Sequence, residues 1–253
     1  MSTIRIDRQA SHWTIKLDRA DKLNALSAEL VEALLAAFAD AARQHVPLVT
    51  LQGEGRCFSA GFDMTDVETQ SEGDLLLRFV RIETLLQTIA SSPCFTIALA
   101  HGGNFGAGVD LIAACNLRVA APGATFRMPG LKFGLVLGTA RFARIVGQHA
   151  AERILESAMT FDAERAHALG FIEHIAPREE YADVVGEALA RLKEIPPASR
   201  ALLYRALDAE TPDIDLAALV RSAAEPGIHA RIAAYRDAAS RTSDGRHGKS
   251  SFD

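Results

Sequence analysis

The sequence is poor in the residues and motifs that usually declare a chemistry. Its 253 residues hold three cysteines, Cys57, Cys94 and Cys115; they are far apart and in no CxxC spacing, which argues against a disulfide framework and a zinc site and leaves packed thiols. The eight histidines show no ligand spacing either, so no metal is expected. There is no basic excess: 27 Lys and Arg stand against 32 Asp and Glu, a net charge of -5, without the cationic surplus of a nucleic-acid binder. Apolar stretches are broken by Arg, Asp, Gly or Pro well short of the roughly 18 residues that a membrane span needs. Met1–Ala10 carries Arg5, Asp7 and Arg8 and lacks the apolar core of a secretory signal, so a cytoplasmic protein is expected. HExxH, GxSxG and GxxxxGK[ST] are missing, and Gly102–Gly108 does not supply the frame of a dinucleotide fingerprint.

What is present is an ordinary globular balance, 49% hydrophobic and 23% charged, in a repeating order of strand, loop and helix. Alternation at Ile4 and Ile6, then at Trp13, Ile15 and Leu17, predicts a hairpin. Ser27 is placed to cap a helix running to about His45. A strand is expected at Leu48–Leu51, a helix at Asp74–Ile89 and a buried strand at Phe95–Ala100. A Gly-rich turn, Gly102–Gly108, leads into a short helix at Val109–Cys115, followed by strands at Leu117–Ala120 and Ala124–Arg127. From Ala140 the pattern is mostly helical, with one short strand at Phe171–Ile175 and a helix ending near Glu194. This order favours an α/β fold with its ligand at strand-to-helix loops. Pro196 and Pro197 mark a boundary between a core, 1–195, and a helical C-terminal region, 196–253, whose tail from Arg241 is expected to lack order.

Two segments draw the chemistry: Phe58-Ser-Ala-Gly-Phe-Asp63 and His101-Gly-Gly-Asn-Phe-Gly-Ala-Gly-Val-Asp110. Each is a Gly-containing turn after an apolar strand. Gly106 and Gly108 strip side-chain bulk from the start of a helix, so the Ala107 N–H can point into open space with the positive end of the helix dipole behind it. If the Phe62 N–H converged on the same point, the pair would hold an oxyanion, each donor contributing about 3 to 4 kcal/mol in a dry site. Spacing alone does not establish convergence. His101, next to glycines and without a visible partner, reads as structural.

Together with Arg19-Ala-Asp-Lys-Leu-Asn-Ala-Leu26, Phe126-Arg-Met-Pro129, Gly134 and Phe161–Pro177, these segments resemble, in order and over nearly the whole chain, the enoyl-CoA hydratase/isomerase family of the crotonase superfamily. The resemblance implies a spiral of repeated ββα units with a helical C-terminal trimerisation region, assembled as homotrimers or hexamers. It implies a coenzyme A thioester as substrate, with no permanently bound cofactor. It makes the Phe62 and Ala107 amides the oxyanion hole, with Ala107, where the family usually has Gly, demanding a permissive backbone angle. It sets Lys22, Ala25, Ala60, Asp63 and Met64 along the CoA, mostly through backbone contacts.

The departures bear on the reaction. Family hydratases use two glutamates, and here those positions are Asp110 and Gly130. Asp110 keeps a carboxyl on a shorter stem, while Gly130 keeps nothing. Syn addition of water needs two groups, so hydration is disfavoured, whereas one acid can shuttle a proton on an enolate that the oxyanion hole stabilises. Isomerisation, decarboxylation and carbon-carbon cleavage share that enolate; a catalytically silent acyl-CoA binder is the alternative from another class. The related naphthoate synthases also carry Gly at the position of Gly130 and bind bicarbonate there. A bound anion, a water or a carboxylate on the substrate near Gly130 is the matching expectation, with Arg127 and Lys132 either facing it or facing solvent. The aspartate nucleophile of the related dehalogenases would fall near Gly138, which disfavours that reaction. Gly248-Lys-Ser-Ser-Phe252 matches a late family stretch without the basic segment that usually follows, implying salt-sensitive CoA binding.

Overall fold

The computed structural model describes residues 2–195, 199, 202, 203 and 212–247. The opening hairpin forms as its alternation predicts: β1 (Ile4–Arg8) pairs antiparallel with β2 (Trp13–Leu17), Ile4 opposite Leu17 and Arg8 opposite Trp13. Trp13, Ile15 and Leu17 are all buried, because alternate residues of a strand share a face. The later strands are β3 (Leu48–Gly53), β4 (Phe95–Ala100), β5 (Gly103–Phe105), β6 (Leu117–Ala120), β7 (Thr125–Arg127), β8 (Thr160–Asp162) and β9 (His174–Ile175). Six of them make one sheet in the order β1-β2-β3-β4-β6-β9, every pair after the hairpin being parallel. The other three make a small sheet, β5-β7-β8.

The helices are α1 (Ala28–Arg43), α2 (Glu72–Ala90), α3 (Ala107–Ala113), α4 (Thr139–Val146), α5 (Gln148–Ser157), α6 (Ala163–Ala168), α7 (Tyr181–Lys193), α8 (Pro212–Ala223) and α9 (Ile228–His247). Parallel strands covered on both faces read as continuous apolar runs, and the pleat sorts them. Val49, Leu51, Ala98 and Ala100 join the main core under α1 and α2, while Leu48, Ile97, Leu99, Leu117 and Val119 pack against Tyr181, Val185 and Ala188 of α7. Leu219, Ala223, Ile228 and Ile232 of α8 and α9 are buried in the same main core. No helix among the described residues is long and apolar enough to cross a membrane.

Three expectations are revised. The region after Ala140 contains a second strand, β8, and the strand expected at Phe171–Ile175 is only His174–Ile175. Phe171 and Ile172 are instead fully buried loop residues. The turn Gly102–Gly108 contains strand β5. Helix α9 runs to His247, and the tail beyond it lies outside the described residues. The Pro196–Pro197 boundary and the Gly248–Phe252 stretch lie outside the described residues. Cys57, Cys94 and Cys115 are buried, packed thiols, as their spacing suggests.

Candidate active site

The segment Arg19–Leu26 works as a clamp on the loop after β3. Leu23 and Asn24 adopt left-handed angles, φ 51° and 54°, which turns the wholly buried Asn24 amide to donate to the carbonyls of Glu54 and Cys57. Leu26 N donates to Gly61 O and Asp63 N to Leu26 O, at 2.7 and 3.3 Å. Arg19 completes the clamp through Asp63 at 2.8 Å and the Ala25 carbonyl. Burial works against ionisation of Asp63, but hydrogen bonds from Thr65 and Arg19 hold its carboxyl below the usual range.

This clamped loop lies directly on the second one. Phe58 N donates to His101 O and Phe105 N to Ser59 O. Gly61, at φ +80°, touches the other loop so closely that an added Cβ would sit 2.2 Å from Phe105 O and 3.2 Å from Ala107 N. A Cβ on Gly108 would fall 2.5 Å from Ser59 O. Glycine is therefore required at both crossings. The amides that follow, Phe62 N–H and Ala107 N–H, donate to no protein acceptor among the described residues. Ala107 is the first residue of α3 and needs no unusual angle, contrary to expectation; Gly106 takes it instead, at φ 46° and ψ -120°.

A cavity of about 220 Å³ opens beside these amides. Phe62, Met64 and Phe79 form one wall, and Leu131, Phe133, Leu135 and Leu137 another, with Tyr235 of α9 at the rim. Phe62 stacks on Phe79 at 4.4 Å between ring centroids, with the Arg78 guanidinium 4.2 Å from the Phe62 ring centroid. Arg78 also donates to Asp63 O at 2.6 Å, which fixes the loop on both sides of the Phe62–Asp63 peptide. Among the described residues, Asp110 is the single carboxyl on the wall. It is 2% exposed, and its Oδ1 has no partner. Burial pushes its proton affinity well above the ordinary range; nearby Arg141 opposes that shift, and Glu83 and Asp215 add to it.

Of the residues expected at the site, Ala60, Phe62, Met64, Ala107, Asp110 and Gly130 line this cavity. Lys22, Ala25 and Asp63 do not: Lys22 is exposed on a short helical turn, while Ala25 and Asp63 belong to the clamp. Gly130 does not simply leave room, because an added Cβ would lie 3.0 Å from Leu135 O, in a turn that closes on itself through Leu135 N and Gly130 O. Arg127 and Lys132 point away from the cavity. They donate to Ala158 O and Glu156 O at the carboxyl end of α5, where cations satisfy orphan carbonyls. His101 is structural, as expected: Nε2 meets Gly55 O at 3.0 Å, and burial keeps the ring below its usual proton affinity.

Sequence reasoning missed the ionisable cluster behind Asp110. Glu83 of α2, Arg141 of α4 and Asp215 of α8 are 0%, 6% and 2% exposed. Arg141 Nη2 lies 3.0 Å from Glu83 Oε1 and 3.8 Å from Asp215 Oδ2. One signal was available: Glu83 falls on the apolar stripe of α2, four residues after Phe79, where a lone carboxylate is costly without a partner. Nothing local identified that partner.

The family model described as enoyl-CoA hydratase/isomerase matches residues 7–232. The enoyl-CoA isomerase/hydratase of Mycosarcoma maydis is 29% identical over 178 residues, 65% of this chain and 65% of that protein, so the match spans just under two thirds of the relative. A crystal structure from Bordetella parapertussis with an enoyl-CoA hydratase/isomerase description is 55% identical, with TM-score 0.91 over 93% of this chain and 98% of that one. The enoyl-CoA hydratase from Bacillus halodurans is 25% identical, with TM-score 0.81 over 92% and 100%. The α/β architecture is the crotonase fold, as the sequence resemblance implied. The matched stretch runs from the first strand into α9, and the chain belongs to the enoyl-CoA hydratase/isomerase family.

Proposed function

We infer that this chain is an acyl-CoA enzyme that moves a proton on a thioester, with double-bond isomerisation the reaction its site favours. The observation that carries the reading is the meeting of two loops at Gly61, which among the described residues leaves the Phe62 and Ala107 amides without protein acceptors beside the one carboxyl of an apolar cavity. Two backbone donors, the second at a helix N-terminus, suit a thioester oxygen that gains negative charge as an enolate forms. Backbone donors held by the Arg19–Leu26 clamp need no reorganisation at the moment of reaction.

In this reading Asp110 as carboxylate takes a proton from one carbon of the enoyl group and returns it two carbons away. The apolar walls exclude water that would quench the exchange. Hydration needs a second acid or base to hold water, and the turn at Gly130 presents none. Decarboxylation and carbon-carbon cleavage use the same enolate and are the secondary readings. A substrate carboxylate is disfavoured, because Arg127 and Lys132 are occupied at α5.

Purified protein mixed with a 3-enoyl-CoA is expected to generate the absorbance of the conjugated thioester, while crotonyl-CoA should lose its absorbance slowly or not at all. Rapid loss of crotonyl-CoA absorbance would replace isomerisation with hydration. No turnover of either, with calorimetric binding of acyl-CoA retained, would leave a silent binder.

A further inference from the structure

Asp110, in the first turn of α3, packs against the start of α4. Gly138, the residue before that helix, is packed so tightly on it that an added Cβ would lie 2.4 Å from Asp110 Oδ1 and 2.9 Å from its Cγ. Three residues further on, Arg141 is held by Glu83 at 3.0 Å and faces Asp215 at 3.8 Å. Asp215 in turn accepts from Ala140 N at 3.1 Å and so caps the same helix. The charged groups facing Asp110 are thus Glu83 from α2, Arg141 from α4 and Asp215 from α8.

This arrangement is short of positive charge. With every carboxyl ionised, three acids and one guanidinium would keep two net negative charges away from water, an arrangement that disfavours the charged form of a buried carboxyl. Burial raises Glu83 as well as Asp110. It also leaves donors and acceptors open in the cluster: among the described residues Arg141 Nε and Nη1, Asp110 Oδ1, Glu83 Oε2 and Asp215 Oδ2 are all buried without a partner. Buried N–H groups are rarely left unpaired.

Taking Asp110 as the proton carrier inferred above, we propose that Arg141 is a positioning residue for it: braced by Glu83 and Asp215, the guanidinium supplies the charge against which Asp110 releases its proton, and a free Arg141 N–H closes on Oδ1 of the resulting carboxylate. An ordinary structural ion pair would fasten α2 to α4 and α8 without governing the protonation of Asp110.

The test follows the Asp110 carboxyl directly, by carbon NMR of protein labelled at aspartate carboxyl carbons, with Asp110→Asn identifying the resonance. In Arg141→Gln the titration midpoint should rise by about 1 to 3 pH units, the effect of losing a close opposite charge. In Asp215→Asn, which removes a like charge and keeps an oxygen for Ala140 N, it should fall. Arg141→Lys should return it towards the wild-type position. Midpoints unmoved in folded Arg141→Gln and Asp215→Asn would overturn the proposal, and if Arg141→Gln fails to fold, Arg141→Lys and Asp215→Asn decide it in the same way. Turnover separates the two inferences: shifted midpoints in a protein inactive on every acyl-CoA would sustain the charge coupling and discard the isomerase reading. A rate profile that follows the NMR midpoint would support both.

Discussion

At the scale of single residues, one carboxyl and one glycine matter most. Asp110→Asn keeps the shape and removes proton transfer, so turnover should fall about 10²- to 10⁴-fold with acyl-CoA affinity little changed, read from kcat against a calorimetric Kd. As the proposed base, Asp110 would work only when ionised, so wild-type activity should rise with pH along a limb well above the ordinary carboxylate range. The linkage has a definite sign. A carboxyl that binds its proton more tightly in the folded state than in the unfolded one favours folding while protonated, and that advantage is lost as pH rises through the folded value. Asp110→Asn should therefore be more stable than the wild type at alkaline pH and little different at acid pH, with melting temperature displaced about 2 to 4 °C for each kcal/mol. Equal melting temperatures across the range would mean that Asp110 is not strained by burial. Gly61→Ala is the backbone counterpart. Its left-handed angle and the 2.2 Å approach to Phe105 O leave no place for a methyl group, so the loops must part. A stability loss of about 1 to 3 kcal/mol should accompany loss of turnover. Unchanged turnover in the folded variant would detach the two amides from the chemistry.

At the scale of elements, legibility followed the range of the interactions. Helix α1 announces itself, because its apolar residues recur every three or four positions and Ser27 accepts from Leu30 N at 3.2 Å as its cap. Ser27→Ala should cost about 1 kcal/mol, measured by denaturant unfolding, without touching activity. Strand β8 is only three residues long, too short for a period, and exists because Phe161 lies opposite Phe126 and packs with Phe142 and Phe171. Those partners lie from 10 to 35 residues away in sequence. Phe161→Ala should lose about 3 to 5 kcal/mol, several times the cost of the cap, since it empties the centre of that aromatic group. The candidate site divides in the same way. The roles of the Phe62 and Ala107 amides and of Asp110 came with the family resemblance, whereas the Gly-containing turns of its two loops were readable from local spacing. The Glu83, Arg141 and Asp215 cluster was not, because α2, α4 and α8 bring it together only on folding, and the roles of Arg127 and Lys132 at α5 were hidden for the same reason.

At the scale of the whole molecule, the remaining question is what covers the apolar surface of the C-terminal part. Leu202, Leu203 and Ile214 are 62%, 49% and 55% exposed, whereas Leu219, Ala223, Ile228 and Ile232 of α8 and α9 lie in the main core. Single exposed apolar residues are unremarkable, but three within thirteen positions of the sequence are what a subunit contact in this part of the chain would draw on. The family resemblance implies trimers built through that region, so light scattering on the purified protein should give the mass of three or six chains. A paired change, Leu202→Glu with Ile214→Glu, places charge where a closed interface would have to desolvate it, and should lower the mass to that of a single chain while the far-ultraviolet spectrum stays native. Because Tyr235 on α9 stands at the rim of the cavity, separating the subunits should also raise KM for the acyl-CoA more than it lowers kcat. A wild-type protein that is monomeric at micromolar concentration and fully active would show that the site is complete within one chain and that these leucines serve no assembly.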